Sequence, residues 1–150
     1  MAQWVVTTGS TALVTATAKT AVELATGTAI TNRIFQIDVT FNGTSATAVP
    51  VTVDLISSTA TGTGTAITFA AAHQVDSATS GNPISTAKVN LTAEGAGPVV
   101  IAAWFVPPTA GVTYQLPLGR EYDMKVSQFR GVRLTAPAVV NYIVNVWFEE

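Results

Sequence analysis

Apolar and polar residues alternate along much of this chain, as they do in a β-strand that has one face on a core and the other in water. Residues 33–41 follow this pattern, and residues 49–55 repeat it after the sequence Asn42-Gly43. Because an Asn-Gly pair between two alternating runs is typical of a hairpin turn, the two segments are predicted to pair as antiparallel strands. The side chains on the predicted apolar face are Phe35, Ile37, Val39, Phe41, Val49, Val51, Val53 and Leu55.

Further strands are predicted along the rest of the chain. Residues 140–148 alternate over a long span and are predicted to lie near the middle of a sheet, with Trp147 on the less apolar side. The run VVIAAWFVPP, residues 99–108, is apolar throughout and is predicted to be a fully buried strand that two prolines end. Weaker strand candidates are residues 4–8, 12–18, 21–25, 87–91 and 132–135, and residues 65–74 are the best candidate for a helical turn.

These segments amount to about eight short strands separated by Gly, Pro, Ser and Asn. That pattern predicts an all-β fold, an antiparallel β-sandwich that is jelly-roll-like. Since the chain has 150 residues and no shift in composition, residues 1–150 are predicted to form one β-sandwich domain. Residues 1–10 are expected to be an extended N-terminal arm whose Trp4 reaches an adjacent subunit.

The composition supports strands and argues against several classes of partner. Charged residues make up 11 % of the chain, against about 25 % in an average globular protein, and about one residue in six is threonine, which suits a pleated surface. A formal charge of -2 gives no general attraction to nucleic acid. Neither an export signal nor an apolar run of the roughly 20 residues in a membrane helix is recognised, so no membrane partner is expected.

Few side chains are suited to catalysis. His73 is the single histidine, and the chain has no cysteine. Asp38 and Asp54 occupy outward positions of the predicted hairpin and could face each other as a carboxylate pair, although two solvated charges are the simpler interpretation. A small hydrolase that uses Asp38, Asp54 or His73 therefore ranks last, and we expect a protein that is not an enzyme, with no cofactor and no metal site.

The charged residues gather in GREYDMKVSQFRGVR, residues 119–133. Basic and aromatic residues together can bind nucleic acid, but acidic residues lie among them here, and arginine and tyrosine are also enriched at protein interfaces. A protein contact is preferred to a nucleic-acid contact, with an ordinary solvated loop as an equal alternative. The predicted protein-interface residues are Trp4, Arg120, Tyr122, Phe129, Arg130 and Arg133.

Four segments, taken in order, carry a resemblance: TAKTAVELATG, RIFQIDVTFNGTSATAVPVTVDLIS, PLGREYD and GVRLTAPAVVNYIVNVWFEE. They resemble small all-β virion proteins of tailed bacteriophages, in which a FDGTSATAAPV-like hairpin, a PLGRE-like turn and an RLTAPAAVN-like stretch that ends in FEE recur in this order. The resemblance covers about two thirds of the chain. Its motifs are structural rather than catalytic.

The resemblance implies a capsid decoration or cement protein on the outer capsid surface of the virion, made in the cytoplasm of a bacterial host. Such a protein is expected to bind the major capsid protein, to stabilise the shell, and to be a homo-oligomer, with a trimer as the expected state. The alternative is a tail or fibre component that binds a host surface glycan through exposed Trp, Tyr and Asn side chains.

Overall fold

A computed structural model describes residues 2–44, 49–70, 74 and 83–150. Over these residues the chain is all-β, with twelve strands and no helix, rather than the eight or so strands expected. The strands are β1 Gln3–Thr7, β2 Thr11–Ala12, β3 Lys19–Ala25, β4 Asn32–Phe41, β5 Val51–Ser58, β6 Thr63–Ile67, β7 Thr86–Ala93, β8 Val99–Val106, β9 Gly111–Gln115, β10 Tyr122–Met124, β11 Phe129–Thr135 and β12 Asn141–Glu149.

The strands form two sheets that pack face to face. In the first sheet the order is β1, β12, β4, β10, with β2 also pairing with β12 and β9 also pairing with β4. In the second sheet the order is β6, β7, β3, β11, β5, β8. Every pairing between described strands is antiparallel. The predicted antiparallel β-sandwich is therefore confirmed, while the jelly-roll connectivity stays a prediction.

Strand β12 shows how the alternating pattern builds the core. Its even-numbered residues are buried between the sheets, while Trp147 lies on the outward side of the first sheet. This arrangement confirms the prediction of a long strand inside a sheet, because β12 has β1 on one side and β4 on the other. The buried side chains of β12 are Tyr142, Val144, Val146 and Phe148.

Strand β4 departs from the predicted alternation at one position. A β-bulge shifts its register against β12, since Trp147 pairs with Gln36 whereas Phe148 pairs with Ile34. The extra residue is Phe35, which is only partly buried, and Ile34 takes the core position instead. A bulge changes which side chains face the core, so the expectation for Phe35 is wrong.

The hairpin predicted around Asn42-Gly43 does not form. Strand β4 belongs to the first sheet and β5 to the second, so the connection between them crosses from one sheet to the other. It passes close to the β8–β9 turn, where the Gly43 N–H donates to the Pro108 carbonyl at 2.7 Å. A Cβ atom at Gly43 would lie 2.4 Å from that carbonyl oxygen, so the close approach requires glycine. The Asn-Gly pair therefore marks a change of sheet.

The N-terminal residues are part of the sandwich rather than an arm. Strand β1 pairs with β12, with Trp4 opposite Phe148, and Trp4 is only 2 % exposed. Its ring meets Phe69 edge-on at 5.8 Å. The burial of Trp4 in the core replaces the expected contact with another subunit.

Two other predicted segments differ from the structure. Of residues 12–18 only Ala12 lies in a strand, because the chain turns where Ala16 has a φ of 54°. Residues 63–67 form β6, so the helical turn predicted for residues 65–74 is wrong at its start. Residues 71–73 and 75–82, which include His73, lie outside the described residues.

Hydrogen bonds made by Tyr142 and by the partly buried Asn90 connect the two sheets. The Tyr142 hydroxyl on β12 donates to Asn90 Oδ1 on β7 at 2.7 Å, and Asn90 Nδ2 donates to the Thr8 carbonyl at 3.3 Å. Asn90 has a φ of 53°, a left-handed backbone that asparagine tolerates better than most residues. Burial raises the pKa of Tyr142 to about 12.

Replacing Tyr142 with phenylalanine tests this connection through its pH dependence. The folded phenol keeps its proton to about pH 12, whereas the unfolded one loses it near pH 10, so the free energy of unfolding falls as pH rises through this window. Between about pH 9 and 11 the wild type should lose about 1 kcal/mol more than Tyr142→Phe in urea titrations. Parallel curves for the two proteins would contradict the assignment.

Candidate interaction surface

Arg133 is held against the outward face of its own sheet by an ion pair. Its Nη2 lies 2.8 Å and its Nε 3.2 Å from Oδ2 of Asp54, the residue directly opposite on β5. Both side chains are largely buried, with 19 % of Arg133 and 11 % of Asp54 exposed. Asp54 is therefore a paired carboxylate, and Arg133 is already engaged within its own subunit.

Arg130 lies on the opposite side of β11 from Arg133. It shares the inward side with Val132 and Leu134, and its Nε is buried without a hydrogen-bond partner. Burial lowers the pKa of Arg130, and the neighbouring Tyr122 opposes that effect. Burial also raises the pKa of Tyr122, reinforced by its contact with Tyr114. Arg130 and Tyr122 therefore lie partly inside the sandwich.

The remaining predicted interface residues lie apart from one another. Arg120 is exposed in a turn where its N–H donates to the Pro117 carbonyl at 2.9 Å. Phe129 is partly buried at the start of β11, and Trp4 is in the core. The six residues predicted from sequence do not lie together on one surface, and their role as interface residues stays a prediction.

The two aspartates considered for acid catalysis are not neighbours. Asp38 lies on β4 in the first sheet, where it accepts hydrogen bonds from Trp147 Nε1 at 2.9 Å and Gln36 Nε2 at 3.0 Å. Asp54 lies on β5 in the second sheet. The predicted carboxylate pair is wrong because it depended on a hairpin that does not form. Within the described part of the chain, no three His, Asp or Glu side chains are placed to hold a metal ion.

Strand β8 forms an exposed apolar surface that the sequence analysis did not predict. It is the last strand of the second sheet and, among the described strands, pairs only with β5. Val99 is 64 % and Phe105 78 % exposed, and Val100 and Ile101 are exposed as well. The expectation of a fully buried strand is wrong, because a run of apolar residues does not reveal whether a strand has one neighbour or two. An apolar strand at a sheet edge presents unpaired N–H and C=O groups together with apolar side chains.

The inward side of β8 faces the core at what we call the open side of the sandwich, where β8 of the second sheet lies beside β9 of the first. Trp104 packs against the core, and its ring centroid lies 4.7 Å from that of Tyr114 on β9. Since β8 and β9 belong to different sheets, this aromatic contact spans the opening between them. The outward side of β8 carries Ala103 and Phe105, both exposed.

A second apolar surface, which we call the end patch, lies at the end of the sandwich where β8 stops. Val49 is 65 % and Val139 70 % exposed there, and a depression of about 570 Å³ lies beside Val49. Contiguous exposed apolar area of this kind marks interaction sites. The end patch consists of Val49, Pro50, Phe105, Pro137 and Val139.

The β8 edge and the end patch meet at Phe105 and are free of charge. The sequence has no charged residue between Glu94 and Arg120, a span that contains both β8 and β9. Depletion of charge is characteristic of the centres of protein interfaces. The sequence alone could have indicated this surface, since it shows that no charged residue occurs between Glu94 and Arg120.

Comparisons with protein-family models, curated proteins and solved structures find no match to this chain. In the residues that are described, no helix is long and apolar enough to cross a membrane. The geometry of the surface is therefore the basis for inferring a function.

Replacing Arg133 and Arg120 separately distinguishes an arginine that stabilises the fold from one that is exposed at the surface. Arg133→Met should lower the free energy of unfolding by about 2 kcal/mol, because it leaves the largely buried Asp54 carboxylate without its cation. Arg120→Met is the matched control and should change it by less than about 0.5 kcal/mol, since Arg120 is exposed in a turn. Equal effects in urea titrations would show that the Arg133–Asp54 pair does not stabilise the fold.

Proposed function

We propose that this chain is a structural protein of a tailed-phage virion, a capsid decoration or cement protein that binds the outside of the major capsid shell. The observation that carries the proposal is the apolar, charge-free end patch. A folded domain that exposes this much apolar area is suited to burying it against other proteins. The proposed contribution is stabilisation of the shell, with no chemical reaction.

Two segments that carry the sequence resemblance meet at the end patch. The segment after β4 contributes Val49 and Pro50, and the segment after β11 contributes Pro137 and Val139. The two segments are far apart along the chain, yet Val49 and Pro137 line the same two depressions, with Pro50 in one of them and Val139 in the other. The convergence supports the end patch as the surface that contacts the shell.

The positions of Asp38 and Asp54 also support a structural protein over an enzyme. Asp54 is neutralised by Arg133, and Asp38 accepts hydrogen bonds from Trp147 and Gln36. The two carboxylates lie in different sheets, so they do not form an acid–base pair. The described residues therefore hold no catalytic arrangement of Asp38 and Asp54 that a small hydrolase could use.

A tail or fibre component that binds a host glycan remains the alternative function. One observation favours it: Trp104 and Tyr114 are partly exposed at the open side of the sandwich, and aromatic rings of this kind can stack on sugars. The other two tryptophans are engaged, since Trp4 is buried and Trp147 donates to Asp38. The alternative therefore has less support than a protein contact.

Shell binding can be tested with charge placed in the end patch. Val49→Asp combined with Val139→Asp should weaken binding to shells that lack the protein by at least about tenfold, because two carboxylates would have to be desolvated in the contact. Val126→Asp is the control, since Val126 is an exposed valine in the turn between β10 and β11, at the opposite end of the sandwich. Co-sedimentation with shells measures the binding, and circular dichroism confirms that each variant is folded.

The same particles decide between the two functions. If the chain is a cement protein, particles without it should lose heat resistance and regain it when the wild-type protein, but not the end-patch variant, is added. Particles that keep their resistance but no longer adsorb to host cells would contradict the cement function and support the glycan-binding alternative.

A further inference from the structure

Strand β8 lacks most of the devices by which soluble proteins protect a sheet edge. Such edges usually carry lysine or another charge, or an internal proline, or are covered by a loop. None of the eight residues Val99–Val106 is charged or a proline, and most of their side chains are exposed. The opposite edge of the same sheet, β6, is short and consists mainly of threonine, glycine and alanine.

One irregularity divides β8 into two parts. A β-bulge shifts the register against β5, since Ala102 pairs with Leu55 whereas Val100 pairs with Ile56, which leaves Ile101 as the extra residue. Beyond the bulge, residues 102–106 pair regularly with β5. Bulges disturb edge pairing locally, so residues 102–106 are the part of this edge best able to accept another strand.

We propose that residues 102–106 of β8 pair antiparallel with the same residues of a second copy of this chain, about a two-fold axis at Trp104 that places Ala103 opposite Phe105 of the other copy. The two second sheets would then join edge to edge into one continuous sheet. The pairing would provide partners for the outward N–H and C=O groups and cover part of Ile101 and Phe105.

The distribution of charge favours a second copy as the occupant. A two-fold contact places the side chains near the axis beside their own copies, so any charge there would meet a like charge. The chain has no charged residue between Glu94 and Arg120, and Asp54, which lies opposite Ala103, is paired with Arg133. A partner of different sequence would not require this absence of both signs of charge.

The size of the contact sets its strength. Residues 102–106 span only about 17 Å at about 3.3 Å per residue. Strand pairing of that length buries less than the roughly 800 Å² per partner of a standard interface, so the neighbouring β9 and Phe105 must contribute. We therefore expect a reversible dimer with a dissociation constant on the order of micromolar.

The two-fold pairing uses the β8 edge, whereas shell binding is proposed for the end patch, and the two surfaces share only Phe105. The pairing also differs from the trimer expected from the sequence resemblance. A trimer requires contact between two different surfaces of neighbouring copies, whereas β8 pairing uses the same surface twice. The measurements below use the purified chain alone, so their failure would leave the shell-binding proposal intact. Failure to bind shells would likewise leave the dimer intact.

Charge on the β8 edge tests the pairing. Sedimentation equilibrium should show dimers of the wild type at about 50 µM, and Ala103→Lys should raise the dissociation constant at least about tenfold, because each lysine would lie opposite Phe105 of the other copy. Thr65→Lys is the control, since Thr65 is exposed on the opposite edge strand β6, and it should dimerise like the wild type. Monomeric or trimeric wild type, or equal effects of the two lysines, would overturn the proposal.

A cysteine cross-link provides a second readout that does not depend on affinity. The chain has no cysteine of its own, so a single introduced thiol can form a disulfide only with another copy. An equimolar mixture of Ala103→Cys and Phe105→Cys should yield a disulfide-linked dimer of the two variants under mild oxidation, because directly opposite residues come within the roughly 4.4–6.8 Å between Cα atoms that a disulfide spans. Ala66→Cys, exposed on β6, should remain mostly unlinked at the same concentration. Equal linking of the mixture and of Ala66→Cys would overturn the proposed axis.

Discussion

Burial of two apolar sheet faces against each other is the interaction on which this molecule depends. Side chains such as Val39 and Val144 from the first sheet and Val53 and Leu134 from the second are fully buried between the layers. Each such side chain contributes about 1.5–3 kcal/mol when it leaves water. With no disulfide in the chain, this packing and the backbone ladders hold the strands in place.

The same constraint explains how the few buried polar groups are arranged. Glu23 on β3 is nearly inaccessible, and its carboxylate accepts hydrogen bonds from the Thr61 hydroxyl at 2.6 Å and the Gly62 N–H at 3.2 Å. Tyr142 and Asn90 pair across the layers in the same way. Because these groups are hydrogen-bonded, they fix the loops and the register of the sheets without large loss of stability. Glu23, Asp54 and Arg133 are thus engaged within the fold, while β8 and the end patch are apolar and exposed.

Much of the fold could be predicted from the sequence, because period-two alternation identifies strands wherever one face is buried. Residues 140–148 became β12, and the all-β class followed from the number of such segments. The partner of a strand is not encoded in its own alternation, however. The alternation in β4 and β5 did not show that they lie in different sheets, and the apolar residues of β8 did not show that it is an edge. Strands β6, β9 and β10 were missed because they are short or rich in threonine and glycine.

The candidate surface was harder to predict than the fold. Arg130 and Arg133 are close in sequence, yet an odd separation along a strand places them on opposite faces, so they do not act together. The end patch combines Val49 with Val139, which only the folded chain brings together. The central claim is that this apolar surface contacts other proteins in a virion. The most direct measurement is a reconstruction of the particle by electron cryomicroscopy. The account predicts this chain on the outside of the shell with the end patch against the major capsid protein. Particles in which the chain is absent, or in which its end patch faces solvent, would contradict it.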